Sequence, residues 1–117
     1  MNRADAEAVL DASLARGSST PNTSALPYDE FLENEKSKLR RCLIDPVEVS
    51  AYPCKWAVDY AGFEDKEFQL TSIASDGQDW LLYDKTSGLF YLAQKDVNDR
   101  LFLIGFCSDD ALAEWRG

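Results

Sequence analysis

Carboxylates supply most of the reactive side chains in this 117-residue chain, which has 21 Asp and Glu, 12 Lys and Arg, and a formal net charge of −9. Five aspartates fall in turns of the C-terminal half, next to strands rich in aromatic residues: Asp76, Asp79, Asp84, Asp96 and Asp99. Two carboxylates can act together as general acid and general base. Turn aspartates also serve as turn formers, and grouped acids attract basic proteins. The residue types alone allow all three roles.

Catalysis is the least supported of these roles. The chain has no histidine, so it lacks a Ser–His or Cys–His nucleophile pair and an imidazole metal ligand. No phosphate-binding glycine loop, C-x-x-C or H-E-x-x-H motif occurs, and segment 76–79 is too short for a calcium loop. Nothing singles out two acids as a catalytic pair. We therefore expect no enzyme activity, no cofactor and no metal.

The charge distribution predicts the kind of partner. Affinity for nucleic acid depends largely on Lys and Arg, so an acidic chain is not expected to bind it. Residues 56–117 carry 12 acidic and 5 basic residues, whereas residues 1–55 carry 9 and 7. A field of this sign speeds encounter with a basic protein. We expect such a protein to contact the five turn aspartates, with Tyr83 or Tyr91 as an anchor.

Neither a targeting segment nor a membrane segment is predicted. Acidic residues interrupt the apolar positions of residues 1–17, unlike the core of a signal peptide, and no apolar run approaches the ~20 residues of a membrane helix. Cys42, Cys54 and Cys107 are odd in number and widely spaced. This pattern favours reduced thiols in the cytoplasm; the alternative is that one of them is a nucleophile.

The elements that must position these residues are helices and a run of strands. Helices are predicted near 3–16, 28–43 and 109–116. Alternating apolar residues separated by turns such as Asp76-Gly77 predict strands near 47–50, 67–74, 80–84, 89–94 and 100–106. Residues 55–61 fit either a strand or a short helix. The sequence thus predicts one α+β domain, a mostly antiparallel β-meander of about four to six strands flanked by helices.

Within that single domain, residues 1–25 are predicted to form an N-terminal helix and a linker, and residues 26–117 the α+β core. The apolar face of the first helix is thin, which favours a loosely attached arm. The linker, 18–25, is rich in Ser, Thr, Asn and Pro.

Both faces of the predicted strands are apolar. In the last strand Leu101 and Leu103 alternate with Phe102, Ile104 and Phe106. A sheet open to water on one side would alternate apolar with polar residues, so we expect both sides to be covered. Either the three helices provide the cover, or one face is a surface for another molecule.

Two stretches of the chain are similar to segments of a known family. The first is Leu26-Pro27-Tyr28-Asp29-Glu30-Phe31-Leu32. The second joins the hairpin YDKTSGLFYL, residues 83–92, to IGFCSDDAL, residues 104–112. These stretches resemble the SUKH superfamily, many of whose members are immunity proteins of bacterial polymorphic toxins, and the chain is similar in size and acidity to the immunity proteins of contact-dependent growth inhibition systems. After Leu32 the chain departs from the SUKH pattern by continuing as a charged helix.

The resemblance implies a cytoplasmic immunity protein that binds a cognate basic toxin, such as a nuclease, as a monomer in a 1:1 complex and blocks its active or substrate-binding site. A second hypothesis is an acidic secretion or effector chaperone that acts as a dimer. A carboxylate-only enzyme is the third.

Overall fold

Four helices and five strands are present in residues 1–116, the part of the chain that the computed structural model describes. Their order is α1 Arg3–Ala15, α2 Tyr28–Arg41, β1 Leu43–Pro53, α3 Lys55–Tyr60, β2 Phe68–Ser75, β3 Asp79–Tyr83, β4 Phe90–Lys95, β5 Leu101–Ser108 and α4 Ala111–Arg116. The predicted α+β domain, a mostly antiparallel meander flanked by helices, is confirmed.

The strands pair in chain order and the sheet then closes on itself. Each of β1 to β4 pairs with the next strand in antiparallel fashion. Residues 51–53 of β1 also pair in parallel with residues 101–103 of β5, which closes the five strands into a small barrel. One apolar cluster of alternating strand residues fills the interior: Ala51, Leu70, Leu82, Tyr91, Ala93, Leu101 and Leu103.

A second apolar cluster lies between the outer face of the sheet and helices α1, α2 and α4. It includes Leu10, Leu39, Ile73, Leu81, Phe90 and Leu112. Both faces of the strands are apolar because one face lines the barrel interior and much of the other packs against helices. Ala6, Leu10 and Leu14 of α1 are each no more than 2% exposed, so α1 is part of the core. The expectation of a loosely attached arm was wrong.

Most strand boundaries differ from the predicted ones by one or two residues, and a larger difference occurs in β1, which spans Leu43–Pro53 and not 47–50. Helix α2 ends at Arg41, not at residue 43, because Leu43 already begins β1. The strand continues through Pro46, where the β1–β2 register shifts between Leu43 and Val47; proline has no N–H for a regular ladder and is tolerated at such irregularities. The ambiguous segment 55–61 is helical over Lys55–Tyr60, and the last helix begins at Ala111.

No helix within residues 1–116 combines the length and apolar character needed to cross a membrane. Cys42, Cys54 and Cys107 are free thiols.

Candidate protein-binding surface

The five turn aspartates are divided between the two ends of the sheet. The β2–β3 and β4–β5 turns lie at one end, so Asp76, Asp79, Asp96 and Asp99 share that end. Asp84 follows β3 and lies at the opposite end. The structure therefore brings four of the predicted binding residues to one end of the sheet and separates the fifth from them.

Three of these carboxylates bond to the backbone of their own turns. Asp76, Asp84 and Asp96 each accept one or more backbone N–H groups at 2.8–2.9 Å. The N–H groups of Asp79 and Gln78 lower the pKa of Asp76. These three residues therefore help to form their turns. Because the pKa of Asp76 is lowered, its carboxylate stays charged at neutral pH.

Asp79 and Asp96 are connected through a row of residues on the outer face of the sheet. Strand register places Asp79 beside Gln94, Gln94 beside Phe102, and Phe102 beside Tyr52. The Gln94 side-chain amide donates to Asp79 Oδ1 at 2.7 Å, and the Tyr52 hydroxyl donates to Asp96 Oδ2. The hydroxyl of Tyr52 is the main cause of the lowered pKa of Asp96. The carboxylates of Asp79 and Asp96 are therefore each held by a side-chain hydrogen bond, and both lie at the end of the sheet where β5 starts.

Asp99 lies in the same β4–β5 turn and is exposed. Its φ of 62° lies in the left-handed region, which Asp tolerates better than most residues. Lys95 Nζ lies 3.0 Å from its Oδ1, so a neighbouring cation partly balances the Asp99 charge.

Neither predicted tyrosine presents an exposed ring. Tyr91 is 6% exposed inside the barrel, with ring centroids 5.8 Å from Phe63 and 6.1 Å from Phe68. Burial raises the pKa of its hydroxyl strongly. Its expected role as a surface anchor was therefore wrong. Tyr83 is half-buried against Phe90, with centroids 5.0 Å apart.

Exposed aromatic rings lie instead on α3 and at the end of β5. Trp56, Tyr60 and Phe106 are 46%, 74% and 59% exposed, and we call these three residues the aromatic patch. The Trp56 centroid lies 5.4 Å from that of Phe106 and 6.1 Å from that of Tyr60. Trp56 and Tyr60 are one helical turn apart and share a face of α3. Exposed apolar side chains that lie together, unlike single scattered ones, are typical of interaction surfaces.

A groove of about 340 Å³ adjoins the aromatic patch, between α3 and α4. It is lined by Trp56, Leu92, Ile104, Gly105, Phe106, Ala113 and Glu114. The β4–β5 register shifts between Tyr91 and Ala93, which places extra β5 residues opposite Leu92. Gly105 has no side chain to fill this space. The space next to its Cα is open, since no heavy atom other than those of its chain neighbours lies within 4 Å of the position that a Cβ would occupy. The bulge and the glycine together keep the groove open.

Glu114 is the ionisable side chain of the groove. Ser108 Oγ donates to its Oε2 at 2.6 Å. Burial raises the pKa of Glu114, and this effect outweighs the lowering by Ser108. In the part of the chain that the structure describes, no Lys or Arg lies within 4.0 Å of the Glu114 carboxylate. The groove thus combines apolar walls with a carboxylate that lacks a cationic partner among residues 1–116.

The sequence pattern pointed to one part of this surface and missed the rest. It placed Phe106 on an apolar strand face, for which cover by another molecule was one of the two expectations, but it did not single out Trp56 or Tyr60. Their i, i+4 spacing was the available signal, and it applies only if residues 55–61 are helical.

Comparison of the chain with protein-family models, curated proteins and solved structures gives no match. Among residues 1–116, no group of three or more His, Cys, Asp or Glu side chains is arranged to hold a metal ion. The aromatic patch and its groove are therefore interpreted from their own geometry and chemistry.

Proposed function

We propose that this protein is an immunity protein that binds a cognate basic toxin domain and blocks its active or substrate-binding site. The aromatic patch of Trp56, Tyr60 and Phe106 is the observation that carries the proposal. Trp and Tyr are enriched among the residues that dominate protein–protein binding energy. Three exposed rings in contact on a small acidic chain suit the centre of such an interface.

Charge supports a basic partner. The chain carries a net charge of −9, and carboxylates lie near both ends of β5. Glu114 lines the groove at one end, while Asp96 and Asp99 belong to the turn that precedes the strand. The substrate cleft of a nuclease toxin is positive, since it binds phosphates. An acidic surface with an apolar centre complements such a cleft.

The proposed setting is the cytoplasm, with one inhibitor bound to one toxin. A toxin that reaches its substrate must be captured quickly, and a negative field raises the association rate with a basic protein well above the unsteered value. Fast capture is therefore the contribution of the acids, and slow dissociation that of the aromatic patch.

Identifying a toxin domain in the product of a neighbouring open reading frame, and co-expressing it with this chain, tests the proposal. We expect the wild-type chain to restore growth and a variant with Trp56→Ala and Phe106→Ala to restore it poorly. The association rate of the purified pair should fall by about tenfold or more between about 50 and about 500 mM NaCl. A rate independent of salt would contradict electrostatic steering, and unrestored growth would contradict the proposed function.

The aromatic patch also fits a second function, that of an acidic chaperone which dimerises through it. Two copies that each carry a charge of −9 repel one another, which favours the monomeric inhibitor. Sedimentation velocity of the isolated chain separates the two functions. A stable dimer that dissociates on Trp56→Ala would support the chaperone.

A further inference from the structure

We propose that the groove between α3 and α4 receives an arginine side chain of the basic partner, with its guanidinium on Glu114 and its aliphatic stem on Leu92 and Ile104. This inference rests on the proposed function, because the arginine comes from the toxin. It specifies which side chain the groove selects.

The lining of the groove matches both parts of an arginine side chain. The aliphatic stem of arginine packs on apolar surface while its head remains polar, and Leu92 and Ile104 provide such a surface. The Trp56 indole borders the same groove and can stack on a guanidinium. Glu114 Oε2 already accepts the Ser108 hydroxyl, which leaves Oε1 to accept a guanidinium N–H.

Electrostatics favours a cation in this position. A partly buried carboxylate without a cation has lost hydration without gaining a charged partner. Glu114 is in this state among the described residues, and Ser108 supplies only a neutral hydrogen bond. An incoming guanidinium offsets the lost hydration and removes water from the groove. A second copy of this chain carries a net charge of −9, so long-range electrostatics favours a basic partner over a second copy.

The chain itself contains the same combination of groups at another place. Arg116 Nη1 lies 2.9 Å from Glu35 Oε2, and its guanidinium lies over the Phe31 ring, 5.5 Å from the centroid. A guanidinium is thus bound there by a carboxylate and an aromatic ring together. In the groove, Glu114 corresponds to Glu35 and Trp56 to Phe31. The guanidinium would be supplied by the partner.

Two small cations test the proposal on the full chain without the toxin. n-Butylguanidinium and n-butylammonium share an apolar stem and one positive charge and differ only in the head group. In ¹⁵N NMR titrations we expect n-butylguanidinium to shift the Trp56 indole N–H signal saturably, with an affinity about threefold or more above that of n-butylammonium. Glu114→Gln should weaken n-butylguanidinium binding by about threefold or more.

Glu30→Gln is the matched control, because Glu30 is exposed on α2, away from the groove, and its substitution changes the net charge by the same amount. It should leave the titration unchanged. An indole signal that does not respond, equal affinity for the two cations, or equal weakening by the two substitutions would overturn the arginine proposal. The cation comparison in the wild-type chain needs no variant to fold. A saturable response combined with failed protection from the toxin would instead overturn the proposed function.

Discussion

The rings of Trp56 and Phe106 are nearly perpendicular, with an interplanar angle of 82° and centroids 5.4 Å apart. Such T-shaped pairs contribute about 0.5–1.5 kcal/mol beyond the area they bury. This pair joins α3 to β5, and both rings keep about half of their surface open. The contact therefore fixes the helix and still leaves two rings available to a partner.

Replacing Trp56 by Ala should separate binding from folding. We expect affinity for the proposed toxin partner to fall by about 30-fold or more, the effect of losing an interface hot spot. The free energy of unfolding should fall by only about 1–2 kcal/mol, because Trp56 is half exposed. Calorimetric titration and urea unfolding measure the two quantities. Val97→Ala, which truncates a fully exposed side chain in the β4–β5 turn, should change neither, and unchanged affinity in Trp56→Ala would contradict the proposed surface.

Replacing Arg116 by Met should destabilise the fold. Glu35 is 8% exposed, and its ion pair with Arg116 is the shorter of its two, at 2.9 Å against 3.2 Å to Lys38. Removing Arg116 leaves a buried carboxylate with one exposed partner, which should cost roughly 2 kcal/mol of unfolding free energy. Adding Glu35→Gln should restore part of the loss, whereas Lys38→Met alone should cost less than about 1 kcal/mol. Equal losses in the two single variants would mean that Arg116 has no special role.

Stability at low pH should depend on Asp96. The hydroxyl of Tyr52, followed by the backbone N–H of Arg100, lowers the pKa of Asp96 in the folded state. The stabilisation is therefore complete above the unfolded pKa of about 3.9 and is lost as the pH falls through the lower folded pKa. Asp96→Asn should be less stable than wild type at pH 7, and the two unfolding curves should converge in acid. A constant difference down to the lowest pH would exclude this linkage.

Glu114 should show the opposite pH dependence. Burial raises its pKa in the folded state, so its contribution is favourable below the unfolded pKa of about 4.3 and is lost as the pH rises through the folded value. Glu114→Gln should therefore be more stable than wild type at pH 7, with a gain that disappears below about pH 4. Thermal unfolding against pH measures this. A carboxylate that destabilises the free protein yet strengthens cation binding is the signature of a binding residue, and a variant less stable at pH 7 would argue against it.

The strand order was predictable because its signals are local. The Asp76-Gly77 turn and the two-residue periodicity on either side of it define a hairpin, and β2 and β3 follow from them. The alternation of side chains also correctly placed Leu101 and Leu103 on one face of β5 and Phe102 on the other. It does not say which face is interior, however, and Tyr91 was assigned to the surface for that reason.

The candidate surface was not predictable because it depends on contacts distant in sequence. Six residues of α3 fit a strand and a helix equally well, and only the β1–β5 pairing places that helix on β5. The end of α2 was predicted too late because Cys42 and Leu43 continue its apolar periodicity. A strand that begins before Pro46 gives no local sign of doing so.

The parallel pairing of Ala51 with Leu101 joins residues 50 positions apart. Such distant contacts must overcome the entropy of closing a long loop, so we expect this pairing to form after the local hairpins during folding. Trp56 and Phe106 meet only once it has formed. We therefore expect the aromatic patch to assemble late in folding, and a nascent or truncated chain that ends before β5 lacks Phe106 and cannot present it. Under the proposed function, the partner would then bind only those chains whose synthesis has passed Phe106.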